Sequence, residues 1–151
     1  MKWDGPDGYW ISDDPSLINV DLVHNWISRE SYWARGRAHE VMARSIEHSL
    51  VLGLYTSDGE QVGFARQVTD RATFAWLCDV FVLEPYRGRG LSKWLIECVM
   101  GHPDMHGLRR LLLGTRDAHG LYQRYGFTQL ADPARFMEVL RPDVCGVQGT
   151  T

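Results

Sequence analysis

Residues 79–95 read DVFVLEPYRGRGLSKWL. Val80, Phe81 and Val82 suit a buried strand, Glu84-Pro85 ends it, and Leu91, Trp94 and Leu95 resume at helical spacing. Between the two elements Gly88 and Gly90 alternate with Arg87 and Arg89. A helix that starts straight after a strand points its first backbone N–H groups forward without partners, at the positive end of its dipole. A phosphate or pyrophosphate would satisfy both features. Glycines let the backbone come close, and Arg87, Arg89 and Lys93 add charge-assisted donors. The loop alone admits two readings: an anion cradle, or a plain turn whose glycines serve positive φ and whose arginines are solvated. Two other motifs fail on spacing. A Walker loop needs GxxxxGK and then Ser or Thr, and the dinucleotide fingerprint needs a third glycine where Lys93 stands.

Upstream, GYWISD (8–13) reads as a first strand closed by Asp13, Asp14 and Pro15. From Ser16 a helix displays Leu22, Val23, Trp26 and Ile27. After the aromatic and basic interruption SYWARG (31–36), a second helix carries Val41, Met42 and Ile46 on one stripe. Three strand-like runs follow: LVLGLYT (50–56), QVGFARQVT (61–69) and TFAWLCDVFVL (73–83). Asp58-Gly59 marks a hairpin between the first two, so an antiparallel meander is expected. Downstream of the glycine loop come the helix LSKWLIECVM (91–100), the strand LRRLLLGT (108–115) and a short helix in AHGLYQRYGF (118–127) closed by Gly126. TQLA (128–131) and RFMEVLR (135–141) read as two last strands. Strand, helix, strand predicts a right-handed crossover between parallel strands.

The chain has 151 residues, enough for one domain with a real core, and a formal net charge of −3, which argues against a nucleic-acid partner. No apolar run is long enough to cross a membrane and MKWDGPDGYW lacks a signal-peptide core, so a cytoplasmic protein is expected. Cys78, Cys98 and Cys145 form neither a disulfide framework nor a zinc pattern. His102 and His106 are separated by Pro103 in a segment that cannot be a regular helix, so no metal is expected.

RGRGLS (87–92) resembles the Q/R-x-x-G-x-G/A signature of the GNAT superfamily of acetyl-CoA-dependent N-acetyltransferases, with Ser92 where Gly or Ala is usual. DVFVLEPY (79–86) is similar to the family's fourth strand. TRDAHGLYQRYGF (115–127) is similar to its A-x-x-L-Y-x-x-x-G-F segment through Ala118, Leu121, Tyr122, Gly126 and Phe127, with Thr115 where Asn is common. The resemblance implies an α/β (α+β) GNAT acyltransferase fold: a mixed, mostly antiparallel sheet splayed between its fourth and fifth strands and flanked by about four helices. It implies a single N-acetyltransferase domain over 1–151, with a frayed tail after about residue 142. Acetyl-CoA would be the co-substrate. Its pantetheine arm would meet the backbone around Phe81 and Val82, and its pyrophosphate the loop Arg87, Gly88, Arg89, Gly90, Leu91, Ser92 and Lys93, with Thr115 and Ala118 nearby.

Acetyl transfer needs a neutral amine, although a free alkylamine has a pKa near ~10. It also needs a donor for the carbonyl oxygen and a proton for the leaving thiolate. The resemblance puts Tyr122 beside the sulfur, as the acid. Asp79 interrupts an apolar strand and is the candidate base, with ordered water as the alternative, and a backbone N–H near Val82 is the expected oxyanion donor. His119, near Tyr122, reads as a surface or packing histidine. Direct attack in a ternary complex needs no cysteine. Tyr32, Trp33, Arg35, Arg37 and Trp76, with Trp10, are candidates for the acceptor site. They fit a small-molecule or peptide amine; a homodimer stays open as an assembly. A different class of function, a catalytically silent acyl-CoA-binding regulatory module, fits the same loop.

Overall fold

The computed structural model describes residues 1–144; Cys145 and the rest of the expected frayed tail lie outside them. A six-stranded sheet runs in the order β1 (Lys2–Asp4), β2 (Trp10–Ser12), β3 (Leu50–Tyr55), β4 (Gln61–Thr69), β5 (Phe74–Val82), β6 (Arg110–Leu113). Every neighbouring pair is antiparallel except β5 and β6, which are parallel. The helices are α1 (Val20–Glu30), α2 (His39–Glu47), α3 (Leu91–Gly101) and α4 (His119–Gln123). The mixed sheet, the meander and the crossover through α3 match the expected fold.

Two apolar clusters hold the helices to opposite faces. Val23, Ile27, Met42 and Ile46 of α1 and α2 meet Val51, Phe64 and Phe81 of the sheet. Leu91, Leu95, Ile96 and Val99 of α3 meet Leu52, Leu54, Val62 and Leu77 on the other face. A buried side chain of this kind contributes about 1.5–3 kcal/mol, so the two faces fix the crossover helix and the helical pair independently. The hairpin at Asp58-Gly59 forms as expected, with Gly59 at φ +85°.

Three expectations change. The first helix starts at Val20, because a 3₁₀ turn occupies Pro15–Leu17 and the Asn19 side chain accepts from the Leu22 N–H as its cap. Lys2–Asp4 is a strand that three residues are too few to reveal. TQLA and RFMEVLR are not strands: a 3₁₀ turn at Pro133–Arg135 follows the first, and neither joins the ladder. Their residue types suit a strand, yet β propensity reports the fit to a neighbour rather than an intrinsic preference, and neither segment pairs with another strand among the described residues.

Candidate active site

β5 pairs with β6 only through Phe74–Leu77, opposite Arg110–Leu113, and then runs on to Val82 alone on that side. The expected opening is therefore present. A bulge accompanies it: the β4–β5 register shifts between Phe64 and Arg66, and Asp79 takes φ +52°. An extra residue bends a strand and breaks its ladder. Beyond the bulge the Leu83 N–H donates to the Val62 carbonyl at 2.8 Å, which makes Phe81 and Phe64 the next bonded pair. The N–H and C=O of Val82 consequently face the opening. Phe81 turns its backbone to β4, and its ring stacks on Trp26 at 4.3 Å within the core. Of the two residues expected to lend backbone to the opening, Val82 is the one placed for it.

At the end of β5 the glycine loop leads into α3. Gly88 and Gly90 have φ of +79° and +77°, and Gly90 is the residue before the helix. Only glycine adopts this conformation readily, so both are required by the turn as well as by access. The first helical bond runs from the Trp94 N–H to the Gly90 carbonyl, leaving the N–H groups of Leu91, Ser92 and Lys93 without an acceptor among the described residues. They face a cavity of about 430 Å³, lined also by Val82, Tyr86, Arg87, Gly88 and, from α4, Leu121. Arg87 Nε donates to the Val82 carbonyl at 2.9 Å, holding the arginine over the junction. Three converging N–H groups, a helix N-terminus and basic side chains suit a diphosphate. Arg89 and Lys93 are exposed beside it.

Along β5 from that cavity lies a second one, of about 240 Å³, lined by Tyr32, Trp33, Trp76, Cys78, Asp79 and Val80 on one side and by Thr115, Asp117, Ala118 and Tyr122 on the other. Tyr122 enters from α4, which is short because the Thr115 hydroxyl accepts from the Ala118 N–H to start it and Gly126 ends the turn at φ +93°. Burial, with a smaller contribution from Tyr32, pushes the Tyr122 hydroxyl up to about 12. Tyr125 instead points at α3, donating to the Lys93 carbonyl at 3.1 Å.

The loop between α1 and α2 spans the opening. On the β5 side Trp33 Nε1 donates to Asp79 Oδ1 at 2.8 Å, and Arg37 Nη1 to Asp79 Oδ2 at 2.8 Å. On the β6 side the Tyr32 hydroxyl accepts from the Arg116 N–H at 2.8 Å, and the Arg116 guanidinium lies 3.9 Å from the ring centroid of Tyr32. Arg66 of β4 adds a third donor to Asp79, Nε to Oδ2 at 2.8 Å. Burial alone would raise the Asp79 carboxyl; the charges of Arg66 and Arg37 and the bond from Trp33 outweigh it and hold the group below the usual carboxylate range.

Tyr32, Trp33, Trp76, Asp79, Thr115, Ala118 and Tyr122 thus come together, and Arg37 joins them through Asp79. Trp10 does not: its indole donates to the Thr56 carbonyl and stacks on Tyr55, beyond β3. His119 is exposed. Arg66 and Arg116 had no signal in the sequence, since an arginine in a strand or loop looks solvated until its partner is known.

A family model described as an acetyltransferase (GNAT) domain matches residues 47–129, from the end of α2 past α4. The chain belongs to the GNAT family of acetyltransferases. A solved GNAT-family structure from Xanthomonas campestris pv. campestris, described as an acetyltransferase, is 47% identical, covers 95% of this chain and all (100%) of its own, and superposes with a TM-score of 0.89. A protein of Gibberella zeae, also described as an acetyltransferase, is 29% identical over 81% of this chain and 79% of its own length. A solved structure of an acetyltransferase from Deinococcus radiodurans R1 shares the GNAT fold at a TM-score of 0.69 with 17% identity, covering 94% of each chain.

Proposed function

We propose that this GNAT protein transfers an acetyl group from acetyl-CoA to a primary amine by direct attack in a ternary complex. The observation that carries the reading is the placing of two cavities on one strand. A diphosphate cradle at Leu91–Lys93 lies against Val82 of β5, and a small aromatic cavity that contains Tyr122 lies against Val80 of the same strand.

Acetyl-CoA supplies an activated acyl group as its thioester. The amides of Leu91, Ser92 and Lys93, with Arg87, Arg89 and the turn glycines Gly88 and Gly90, hold its diphosphate. The N–H of Val82, turned toward the opening, is the donor for the carbonyl oxygen. Tyr122, protonated throughout the neutral range, hydrogen-bonds the departing sulfur and shares its proton with it. Thr115 and Ala118 set the start of the helix that carries Tyr122.

For the proton on the amine, water replaces the expected carboxylate base. Asp79 already accepts from Trp33, Arg37 and Arg66 and is held ionised, so it acts as an anchor. Through it Trp33 stands as one wall of the acceptor cavity, with Tyr32 and Trp76. These aromatic faces suit an amine of modest size through cation–π contact before it loses its proton.

The test pairs binding with turnover. Acetyl-CoA should raise the melting temperature where NADH does not, as mass action requires of a ligand of the folded state. A panel of primary amines should then release free CoA thiol. Binding without thiol release from any amine would make the chain a binding module.

A further inference from the structure

Most polar side chains that line the aromatic cavity between β5 and α4 already have partners. Trp33 donates to Asp79, both Asp79 oxygens accept, the Tyr32 hydroxyl accepts from the Arg116 N–H, and the Thr115 hydroxyl accepts from the Ala118 N–H. Asp117 is different. It is exposed in the lining and has neither a hydrogen bond nor an ion pair among the described residues. Its neighbour in the chain, Arg116, lies instead over the Tyr32 ring, 3.9 Å from the centroid. Trp76, in the facing wall, is 50% exposed and makes no ring contact among the described residues. A free carboxylate and a free indole across one cavity suit a cation, held by charge on one side and by the negative ring face on the other. Asp79, in the same lining, is over-neutralised by Arg37 and Arg66, each at 2.8 Å, so the wall beneath Trp33 carries net positive charge. Nearby positive charge favours the neutral form of an amine, and nearby negative charge favours the ammonium. The nitrogen that reacts must be neutral, so it belongs near Asp79 and Tyr122, and the cation that Asp117 attracts is a different group.

We propose that Asp117 is the specificity residue for the acceptor, and that the acceptor carries a second cationic centre besides the amine that reacts: a short diamine, or a primary amine with another ammonium or guanidinium a few carbons away. This rests on the acetyl-transfer reading and adds to it the chemistry of the rest of the substrate. With its far cation between Asp117 and the Trp76 ring, such a molecule turns its other nitrogen toward the positive wall and Tyr122. The bound cation then disfavours a second charge on the reacting nitrogen. A cavity of about 240 Å³ that also receives the acetyl group leaves room for a short spacer only. An uncharged far end leaves the carboxylate without a partner, and an anionic far end meets it with like charge, so Asp117 selects by attraction and by repulsion.

Thiol release from acetyl-CoA with 1,4-diaminobutane, pentylamine and 4-aminobutanoate tests this on the wild type and on Asp117→Asn. Pentylamine replaces the second ammonium by a methyl group, and 4-aminobutanoate replaces it by a carboxylate. In the wild type kcat/KM should favour the diamine about 10-fold over pentylamine, as expected for one partly exposed charge contact with a ring face, and should be lowest for 4-aminobutanoate. Asp117→Asn should bring the diamine and pentylamine within about 2-fold of each other, with the acetyl-CoA-dependent rise in melting temperature retained as the check on folding. Equal kcat/KM for the two in the wild type, or a diamine preference that survives in Asp117→Asn, overturns the proposal. Should the variant fail to fold, salt on the wild type decides: a diamine preference that shrinks between about 0.02 and 0.5 M salt supports the contact, and one that does not overturns it. Should no amine release thiol, the acetyl-transfer reading fails by itself, and calorimetry of 1,4-diaminobutane with the CoA-bound chain decides the cation site. Binding weakened about 10-fold by Asp117→Asn supports it, and absent or equal binding overturns it.

Discussion

The indole of Trp33 and the carboxylate of Asp79, 46 positions apart in the chain, are joined by a hydrogen bond of 2.8 Å. This contact links a loop between two helices to a bulge in the central strand, and it ties a wall of the proposed acceptor cavity to the sheet. With Arg37 and Arg66 on the same carboxylate, the cluster leaves a net positive charge under that wall. Replacement of Asp79 strands two guanidiniums, of which Arg66 has only 11% of its side chain exposed. Asp79→Asn should therefore lose about 3–5 kcal/mol in urea unfolding, the usual penalty for breaking a buried pair from one side. Where the variant stays folded, KM for the amine should rise while KM for acetyl-CoA changes little. The reverse pattern would move Asp79 to the cofactor side.

The same carboxylate sets an acid dependence. Its folded pKa lies below the ordinary 3.8, so its contribution to stability is complete above that value and is lost as pH falls through the lower folded pKa. The stability gap between wild type and Asp79→Asn should be full at neutral pH and shrink below about pH 4. Urea titrations at both pH values check it; a gap that widens in acid would contradict the assigned direction.

Tyr122→Phe keeps the packing against Phe127 and deletes the hydroxyl. Turnover should drop by about 10²–10⁴, the range for a lost general acid, with acetyl-CoA affinity unchanged in calorimetry. Equal losses in both would assign Tyr122 to packing. Because burial holds this hydroxyl near about 12, the rate should climb with pH as the amine loses its proton, with no descending limb from the tyrosine below about pH 11. A fall near neutrality would mean that another group titrates in the mechanism.

Much of this was legible in DVFVLEPYRGRGLSKWL. Strand, glycine turn and helix leave local marks, since positive φ demands glycine and helical spacing demands periodic apolar residues. The opening between β5 and β6 followed from family resemblance, whereas the bulge that accompanies it left no pattern in the sequence: Asp79 takes positive φ without being glycine. Arg66, Arg116 and the bridging role of Tyr32 were hidden for a different reason. Their contacts join distant segments, and no local rule reports a partner 84 positions away. The segment after Phe127 misled in the opposite sense. Its residue types suit a strand, and whether it becomes one depends on which edge it meets.

Gly90→Val isolates the cradle. A side chain at φ +77° is strained by about 1–2 kcal/mol, and its Cβ would project into open space at the proposed diphosphate site. The variant should fold with a slightly lower melting temperature and lose the acetyl-CoA-dependent rise. Retention of that rise would mean that the loop does not hold the diphosphate.

The most direct measurement is a crystal structure of this chain grown with acetyl-CoA. The diphosphate should lie against the N–H groups of Leu91, Ser92 and Lys93, with the sulfur beside the Tyr122 hydroxyl in the gap between β5 and β6. A diphosphate bound away from the start of α3, or a sulfur outside that gap, would contradict the account.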